Sequence, residues 1–429
     1  MGRWGERATT AEPSVIETQS RVPTGCLSPQ HSAPLPLAGI RIVDFGWVLA
    51  GPIVGKLLAD MGAEVIKVES RLRLDEMRQS PSNPERDPVF HGLNRNKLSV
   101  TVDFTRPEGQ ELIRRLVAIS DAVSENFSPS VLRRYGLDYE ALRHVRPDLV
   151  MLSLSSAGQY GPLWDVQTYG PTLGPIAGID GLVGYHGGRV LGSQGFYSDP
   201  TAGIHGAVAL LAALRYRART GIGQYVDLAQ WESNVGVIGE AIMDYTMNGR
   251  VAKPQGNRDP DMAPHQNYRC ANEGGWIGIC CRDDRDWQVL RQVMGDPEWA
   301  RDSRFDCLAG RQAHLKELDA RISEWTAAQE TYDLMHRLQA ARVPAAPSLD
   351  AGGRFFNEHF VARELLQEID HPVTGTEVVT APAWRFSDTP GALFRPAPQL
   401  GEHNDYVFGE LLGLSADEIV RLAEERVLN

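Results

Sequence analysis

Cysteine is scarce in this sequence, and its spacing shows no pairing pattern. The 429 residues include five cysteines, an odd number with no C-x-x-C pair, which argues against a disulfide framework and the usual zinc motifs. No other spacing typical of metal ligands occurs, so we expect no bound metal. We predict reduced, mostly buried thiols at Cys26, Cys270, Cys280, Cys281 and Cys307.

The sequence also lacks a long apolar run and an excess of positive charge. No stretch approaches the roughly 20 apolar residues that span a bilayer, and no apolar signal core follows the charged first residues. The net charge of −12 argues against nucleic acid or an anionic membrane surface as the main partner. With 42% hydrophobic and 23% charged residues, the chain is predicted to be a globular, cytoplasmic protein.

A dinucleotide-binding glycine fingerprint is missing where it would be expected. Residues 39–45 predict a buried strand, a helix is predicted to open at Pro52, and EVIKVE (64–69) predicts the next strand. Together they form the βαβ unit of a parallel sheet. A Rossmann-type nucleotide site needs G-x-G-x-x-G between the first strand and its helix, and the loop FGWVLAG (45–51) does not fit. We therefore expect neither NAD nor flavin.

The βαβ pattern predicts an α/β protein, and the length of 429 residues predicts two lobes. The large domain is predicted to carry a Rossmann-like parallel sheet, and later strands and helices indicate a smaller α+β domain. The first residues are rich in Ser, Thr and Pro without periodicity, which is typical of disorder. The predicted divisions are a disordered extension (1–35), a large α/β domain (36–230), a linker helix (231–250), a small domain (251–375) and a C-terminal segment that returns to the large domain (376–429).

One carboxylate stands at the start of a long apolar helix. Gly192 and Gly195 predict a turn, Asp199 is placed at the N-cap, and Pro200 at the first position of a helix that runs to Arg219. Two interpretations fit the local sequence. In the first, Asp199 only caps the helix. In the second, the glycine-rich segment before the helix leaves space for a ligand, and the helix dipole keeps the carboxylate ionised, as a nucleophile requires.

Six segments, taken together and in their order along the chain, carry a resemblance that covers Leu37 to the C-terminus. They are LAGIRIVDFGWVLAGPIVGKLLADMGAEVIKVE (37–69), NRNKLSVTVDFTRPEG (94–109), SENFSPSVLRRYGL (124–137), SLSSAGQYGPLWD (153–165), SDPTAGIHGAVALLAAL (198–214) and TGIGQYVDL (220–228). On these segments the chain resembles the class III CoA-transferases, the family of formyl-CoA transferase and carnitine CoA-transferase, which also includes the α-methylacyl-CoA racemases.

The resemblance implies an enzyme that moves coenzyme A from an acyl-CoA donor to a carboxylic acid. In the family an Asp at the position of Asp199 attacks the thioester, so the resemblance favours the nucleophile over the cap. We hypothesise that the reaction passes through an aspartyl anhydride and an aspartyl-CoA thioester, with backbone N–H groups of residues 200–203 or a nearby glycine turn stabilising the oxyanion. The implied contacts to CoA are Val48, Leu49, Ala50, Val102, Asp103, Phe104, Asn126, Phe127, Arg134 and Tyr135.

The chain departs from the family at three points. Relatives generally carry an acidic residue at the position of Gly170, and the racemases need a His at the position of Tyr169, so racemisation is not expected. Thr105 replaces a lysine found in relatives, and Arg106 is a candidate substitute for its phosphate contact. The glycine-rich lid of formyl-CoA transferases is absent near 254–264, which favours an acid larger than formate or oxalate.

Four further residues are candidates for the substrate site. Gln159, Tyr169 and Gly170 follow the buried strand LVMLSLS (149–155), at whose carboxyl end ligands gather in open α/β sheets. His265 follows a flexible loop and is either structural or placed to orient a carboxylate. The resemblance also implies an interlocked homodimer. The alternative is a CoA-binding, half-catalytic subunit that pairs with an active paralogue.

Overall fold

The computed structural model describes residues 34–78, 83–193 and 197–429. Cys26, Gly195 and the predicted extension up to residue 33 lie outside the described residues. The described chain forms a six-stranded sheet with many helices, a three-stranded sheet and a two-stranded hairpin, which confirms the predicted α/β class. None of the described helices is both long enough and apolar enough to cross a membrane.

The large sheet positions the helices and loops around the candidate site. Its six strands are β1 (Arg41–Phe45), β2 (Glu64–Glu69), β3 (Leu98–Thr101), β4 (Ala122–Glu125), β5 (Val150–Ser155) and β6 (Tyr225–Ala229). All neighbouring pairs are parallel, in the order β3-β2-β1-β4-β5-β6. The chain order reverses between β1 and β4, and ligands of such sheets bind at the carboxyl ends of the strands beside this point.

Nine helices connect and follow these strands in the described chain. They are α1 (Ala50–Ala59), α2 (Pro88–Asn94), α3 (Pro107–Ala118), α4 (Val131–Arg134), α5 (Tyr139–Val145), α6 (Gly170–Ala177), α7 (Ser198–Thr220), α8 (Gln230–Gly236) and α9 (Gly239–Asn248). The strand β1 begins at Arg41 rather than residue 39, and α1 begins at Ala50 rather than Pro52. Pro52 therefore occupies the first turn, where its missing N–H costs no helical hydrogen bond.

Both faces of the large sheet are buried, as its nearly continuous apolar strands predict. On one face, Val54 of α1 and Leu210 of α7 pack against Ile42 and Leu152. On the other face, helices α3 and α5 pack together with the end of the chain, where Phe408 belongs to the same cluster as the strand residues. With both faces covered by apolar layers, we expect a polar site at the carboxyl edge of the sheet.

The helix that carries Asp199 starts earlier than the sequence predicts. It extends over Ser198–Thr220 rather than from Pro200 to Arg219. Tyr197 precedes it and already has helical backbone angles. Asp199 is therefore the second residue of α7, and the prediction that it is the N-cap is wrong. The prediction that glycine ends the helix is confirmed. Gly221 follows α7 with φ of 74°, a left-handed conformation that favours glycine.

A smaller unit follows α9 and has its own core around the buried Trp287. Its three antiparallel strands are β7 (His265–Arg269), β8 (Trp276–Cys280) and β9 (Ala345–Pro347), and its helices are α10 (Asp284–Val293), α11 (Leu308–Ala313), α12 (Leu315–Thr326) and α13 (Thr331–Ala340). Helices α14 (Ala351–Phe355) and α15 (Glu358–Ala362) lead to an antiparallel hairpin of β10 (Leu366–His371) and β11 (Gly375–Thr380). Four free cysteines, Cys270, Cys280, Cys281 and Cys307, lie in this unit.

Two connecting segments bear on the predicted domain divisions. The segment expected to be one linker helix (231–250) is instead two helices, α8 and α9, with a break at 237–238. The C-terminal segment forms a π-helical stretch (Asp405–Leu411) and a helix α16 (Ala416–Glu424). It lies against the large sheet, since the His403 N–H donates to the Ser99 carbonyl at 2.9 Å. The boundaries themselves stay predictions.

Candidate active site

The β1–α1 loop and the turn after β4 lie side by side at the carboxyl edge of the large sheet. Asn126 joins them, because its Oδ1 accepts the Trp47 N–H at 2.7 Å and its Nδ2 donates to the Trp47 carbonyl at 3.0 Å. Gly51 must be glycine here, since a Cβ at this position would collide with the Asn126 side chain. The structure thus brings residues 48–50 next to Asn126 and Phe127.

Aromatic rings line the same edge. The Phe104 ring lies edge-on to Phe45, with centroids 5.8 Å apart, and to Tyr135 at 5.5 Å. Phe127 packs on Trp47 at 5.7 Å and on Phe104 at 6.4 Å. Three of the predicted CoA contacts, Phe104, Phe127 and Tyr135, therefore share one half-buried cluster. Such rings offer faces on which a nucleotide base can stack.

The remaining predicted CoA contacts have different surroundings. Val102 is fully buried, and the Asp103 carboxylate accepts the Thr105 N–H at 3.1 Å and its hydroxyl at 2.6 Å. Arg134 is exposed at the end of α4, and its guanidinium has no partner among the described residues, so it is free to meet a phosphate. Arg106, the candidate substitute for the missing lysine, instead donates to a carbonyl of the C-terminal segment.

Asp199 has a buried carboxylate, and one of its two oxygens has no partner among the described residues. Its side chain lies in the first turn of α7, the residue is 8% exposed, and Oδ2 has no hydrogen-bond partner among the described residues. Burial raises the pKa of Asp199 from 3.8 to about 6, so desolvation outweighs the helix dipole that we expected to favour the anion. A carboxyl with this pKa is still about 90% ionised at pH 7, and it can act as a nucleophile there.

Glycine lets the first turns of α7 approach α1 closely. A Cβ on Gly203 would lie 2.8 Å from the Ile53 Cβ and 2.9 Å from the Ala50 carbonyl oxygen. Gly203 follows Asp199 by about one helical turn, and Ala50 is the first residue of α1, directly after the β1–α1 loop. The absence of a side chain at Gly203 therefore places Asp199 beside the loop predicted to contact CoA.

Several buried polar atoms that have no partner among the described residues collect around the start of α7. Asn234 on α8 donates through Nδ2 to the Ser198 carbonyl at 3.1 Å, and Ser155 of β5 pairs with the residue just before Gln230. Native proteins leave few buried polar atoms unpaired, so we interpret this group as a surface that a polar ligand completes. Its unpaired atoms are Ser155 Oγ, Gln159 Nε2, Asp199 Oδ2, Gln230 Oε1, Trp231 Nε1 and Asn234 Oδ1.

The four substrate-site candidates lie in different places. Gln159 belongs to the unpaired group just described. Gly170 begins α6, and the hydroxyl of the neighbouring Tyr169 donates to the Glu76 Oε1 at 3.0 Å, which brings Tyr169 to the segment after β2. His265 instead begins β7, and its Nδ1 lies 2.6 Å from a carbonyl oxygen of the preceding loop. His265 thus has its contacts in the small unit, and its role stays a prediction.

A histidine cluster away from this edge bears on the expectation of no metal. Ligand atoms of His91 on α2, His371 on β10 and Glu377 on β11 lie within 4.8 Å of one another. His91 Nδ1 is 2.5 Å from Glu377 Oε1, and the Val373 N–H donates to His371 Nδ1 at 3.2 Å. A neutral His371 then carries its proton on Nε2, which opposes metal ligation there. We interpret the cluster as a hydrogen-bonded contact between α2 and the hairpin, and the lack of a metal stays a prediction.

Sequence reasoning missed the charged residues behind the β1–α1 loop. Asp75 and Arg78, in the polar segment that follows β2, are both buried. Lys67 in β2 is fully buried as well, and it donates to Asp75 Oδ2 at 3.0 Å and to the Gly46 carbonyl. The available signal was a lysine inside an apolar strand, since a buried cation needs a partner.

The raised pKa of Asp199 predicts how stability depends on pH. Its pKa is 3.8 when exposed in the unfolded chain and about 6 in the folded one, so the folded state binds the proton more tightly. Ionising Asp199 therefore lowers the free energy of unfolding as the pH rises from about 4 to about 6, by on the order of 2 kcal/mol. We expect Asp199→Asn to be more stable than the wild type at pH 8 and to lose this advantage near pH 4 in urea unfolding. An advantage that does not change with pH would contradict the buried, unpaired carboxylate.

Comparisons with known proteins agree with this geometry. Residues 37–404 match the model of CoA-transferase family III. The chain is 36% identical over 397 residues to the succinyl-CoA–D-citramalate CoA-transferase of Chloroflexus aurantiacus, covering 92% of this chain and 98% of that protein. It is 33% identical over 399 residues to the beta subunit of the succinyl-CoA–L-malate CoA-transferase of the same organism, with the same coverage. A CAIB/BAIF family protein from Brucella suis has a similar structure, with a TM-score of 0.81 and 35% identity over 88% of this chain and all of that one.

Proposed function

The chain belongs to CoA-transferase family III and is a CoA-transferase, and from that premise we propose that Asp199 carries the group that is transferred. The observation that supports this role most directly is the Asp199 carboxylate at the start of α7, whose buried Oδ2 has no hydrogen-bond partner among the described residues. A carboxylate that only stabilised the fold would be paired with an N–H group or a cation. This one is left available to a ligand, and it lies beside the β1–α1 loop.

The proposed reaction needs no change of oxidation state. An oxygen of ionised Asp199 attacks the carbonyl carbon of the acyl-CoA, the C–S bond breaks, and CoA leaves as the thiolate. The thiolate then attacks the Asp199 carbonyl carbon of the mixed anhydride, which releases the donor acid and leaves CoA as a thioester on Asp199. The acceptor carboxylate attacks that thioester to form a second anhydride, and the thiolate takes the acceptor acyl group, which restores Asp199.

The start of α1 is better suited than the start of α7 to stabilise the oxyanion. The groups expected for this at residues 200–203 are already used or absent, because Pro200 has no N–H and the Thr201 N–H donates to the Tyr197 carbonyl at 3.2 Å. The N–H groups of residues 49–51 have no acceptor among the described residues. We propose that they bind the developing negative charge, as N–H groups at a helix start can.

We further propose that the acids exchanged are dicarboxylic acids of the succinate and malate type. The two named relatives act on such acids by their names. In this chain, the Arg73 guanidinium lies 5.2 Å from the Trp47 ring centroid, and it has no hydrogen bond or ion pair with a described residue. An unpaired cation beside the reactive loop is suited to the second carboxylate of the substrate.

A panel of acyl-CoA donors and acids tests this substrate class. We expect succinyl-CoA with a four- or five-carbon dicarboxylic acid to react faster than formyl-CoA with oxalate. Arg73→Gln should raise KM for the dicarboxylic acceptor about tenfold, the cost of one charge-assisted hydrogen bond, and leave KM for the acyl-CoA within about twofold. Arg321→Gln, an exposed change on α12, is the control. A preference for formyl-CoA and oxalate would contradict the class.

A homodimer is our proposal for the assembly, and interlocked protomers are what the family resemblance implies. Helix α9 buries none of its residues in the single chain, and Ile242, Met243, Tyr245 and Met247 on it are exposed. Monomeric proteins rarely expose apolar patches of this kind. Native mass spectrometry should therefore give twice the chain mass of 47.3 kDa.

We place this protein in the cytoplasm and expect no nucleic acid partner.

The half-catalytic subunit is the second candidate, and the similarity to a beta subunit favours it. The same assays separate the two. Transfer by the purified chain alone supports the homomeric enzyme, and transfer only after addition of a second family member supports the heteromer.

A further inference from the structure

Val48 adopts a backbone conformation that valine rarely accepts. Its φ is 61°, in the left-handed region where a β-branched side chain clashes with the backbone. Such conformations persist only where surrounding contacts enforce them, and they concentrate at functional sites. Val48 precedes Leu49 at the start of α1, so its angles set the direction in which the free N–H groups of residues 49–51 point.

Asp75 is the side chain that holds Val48 in this conformation. Its Oδ1 accepts the Val48 N–H at 3.1 Å and also the Met77 N–H at 3.1 Å. Its Oδ2 pairs with the Lys67 Nζ at 3.0 Å, and both side chains are fully buried. Lys67 Nζ in turn donates to the Gly46 carbonyl. One buried ion pair therefore fixes both ends of the loop segment from Gly46 to Val48.

The same short segment touches the site at two other points. Arg73 lies over the Trp47 ring at 5.2 Å, and Glu76 accepts the Tyr169 hydroxyl at 3.0 Å. Asp75 stands between them with its carboxylate turned to the loop backbone. Residues 73–76 thus cross the β1–α1 loop. Of the three contacting side chains, Arg73, Asp75 and Glu76, Asp75 is the one that is buried.

We propose that Asp75 is a positioning residue for CoA transfer. It holds Val48 in the left-handed conformation and thereby aims the N–H groups of residues 49–51 at the carbonyl that Asp199 attacks. This inference rests on the transfer reaction proposed above, and it adds a residue that contacts neither substrate nor the reacting atoms. A purely structural role for Asp75 would not depend on the backbone strain at Val48, and the proposed positioning role does.

Glycine at position 48 tests the proposal, because glycine adopts a positive φ without support. In the wild-type background, Asp75→Ala removes the oxygen that accepts the Val48 N–H and should lower kcat about 30- to 100-fold, as expected for a misplaced catalytic group, with KM for acyl-CoA changed less than about threefold. In a Val48→Gly background, the same Asp75→Ala change should lower kcat less than about fivefold. Val48→Ala removes the branch but keeps the Cβ, which still opposes the left-handed conformation, so in that background most of the loss should return.

Two outcomes overturn the proposal. One is a loss from Asp75→Ala that is equal in the valine, alanine and glycine backgrounds, which would show that Asp75 acts through fold stability alone. The other comes from hydrogen exchange of the wild-type enzyme, which needs no variant to fold. We expect the Val48 amide to exchange at least about 100-fold more slowly than the unpaired amides of residues 49–51, and equal rates would overturn the proposal. A wild-type enzyme without transferase activity would instead refute the proposed function, and the exchange measurement would remain valid.

Discussion

Asp199→Asn should lower the transfer rate by about 10⁴-fold or more, because an amide cannot attack a thioester and removal of a nucleophile costs this much in well-studied enzymes. Asparagine has the shape of aspartate, and Asp199 makes no ion pair with a described residue that the change would break. CoA affinity, measured by calorimetric titration, should therefore stay within about threefold. The loss should appear in kcat rather than in binding.

The matched control for this experiment is Asp333→Asn on α13, which removes an exposed carboxylate and should leave activity within about twofold. Residual activity of the Asp199 variant above about one hundredth of the wild type would show that another group carries the acyl chain. Spontaneous deamidation of the asparagine restores the wild type, so the residual rate must be compared with the deamidated fraction in the peptide mass spectrum.

Gly203→Ala should lower kcat by about 100-fold although it adds a single methyl group. The new Cβ would lie 2.8 Å from the Ile53 Cβ and 2.9 Å from the Ala50 carbonyl oxygen. The first turn of α7 must then move away from α1, and a displacement of about 1 Å between reacting groups costs this much. The free energy of unfolding should fall by about 1–3 kcal/mol, less the small gain from alanine in a helix.

Gly92→Ala is the control for this second experiment, because Gly92 is also helical and a Cβ there meets no atom within 4 Å. It should leave kcat unchanged and raise stability slightly. If Gly203→Ala keeps more than about one third of wild-type activity, the approach of α7 to α1 does not set the position of Asp199.

The sequence was sufficient for the fold class and for the βαβ unit, since strands such as EVIKVE and the helix after the β1–α1 loop have clear apolar patterns. The role proposed for Asp199 came from the family resemblance, because local sequence could not separate a cap from a nucleophile. The boundary of α7 was missed because Tyr197 and Ser198 already take helical angles before Pro200. Such an early start depends on packing, which local propensity does not describe.

The contacts that complete the site join segments far apart in the chain. Asn126 binds Trp47, Asn234 binds the Ser198 carbonyl, and Asp75 binds Val48. No periodicity or spacing connects such pairs, so one sequence could not reveal them. The direction of the Asp199 pKa shift was missed for the same reason, because burial raises this pKa and burial is a property of the packed structure.

Covalent labelling of Asp199 tests the central claim most directly. The purified enzyme is incubated with succinyl-CoA without an acceptor, treated with hydroxylamine or borohydride, digested, and analysed by mass spectrometry. We predict that the peptide bearing Asp199 gains the mass of a hydroxamate, or is reduced to the alcohol, and that Asp199→Asn abolishes both changes. An unmodified Asp199 peptide in an enzyme that still transfers CoA at the wild-type rate would contradict the account.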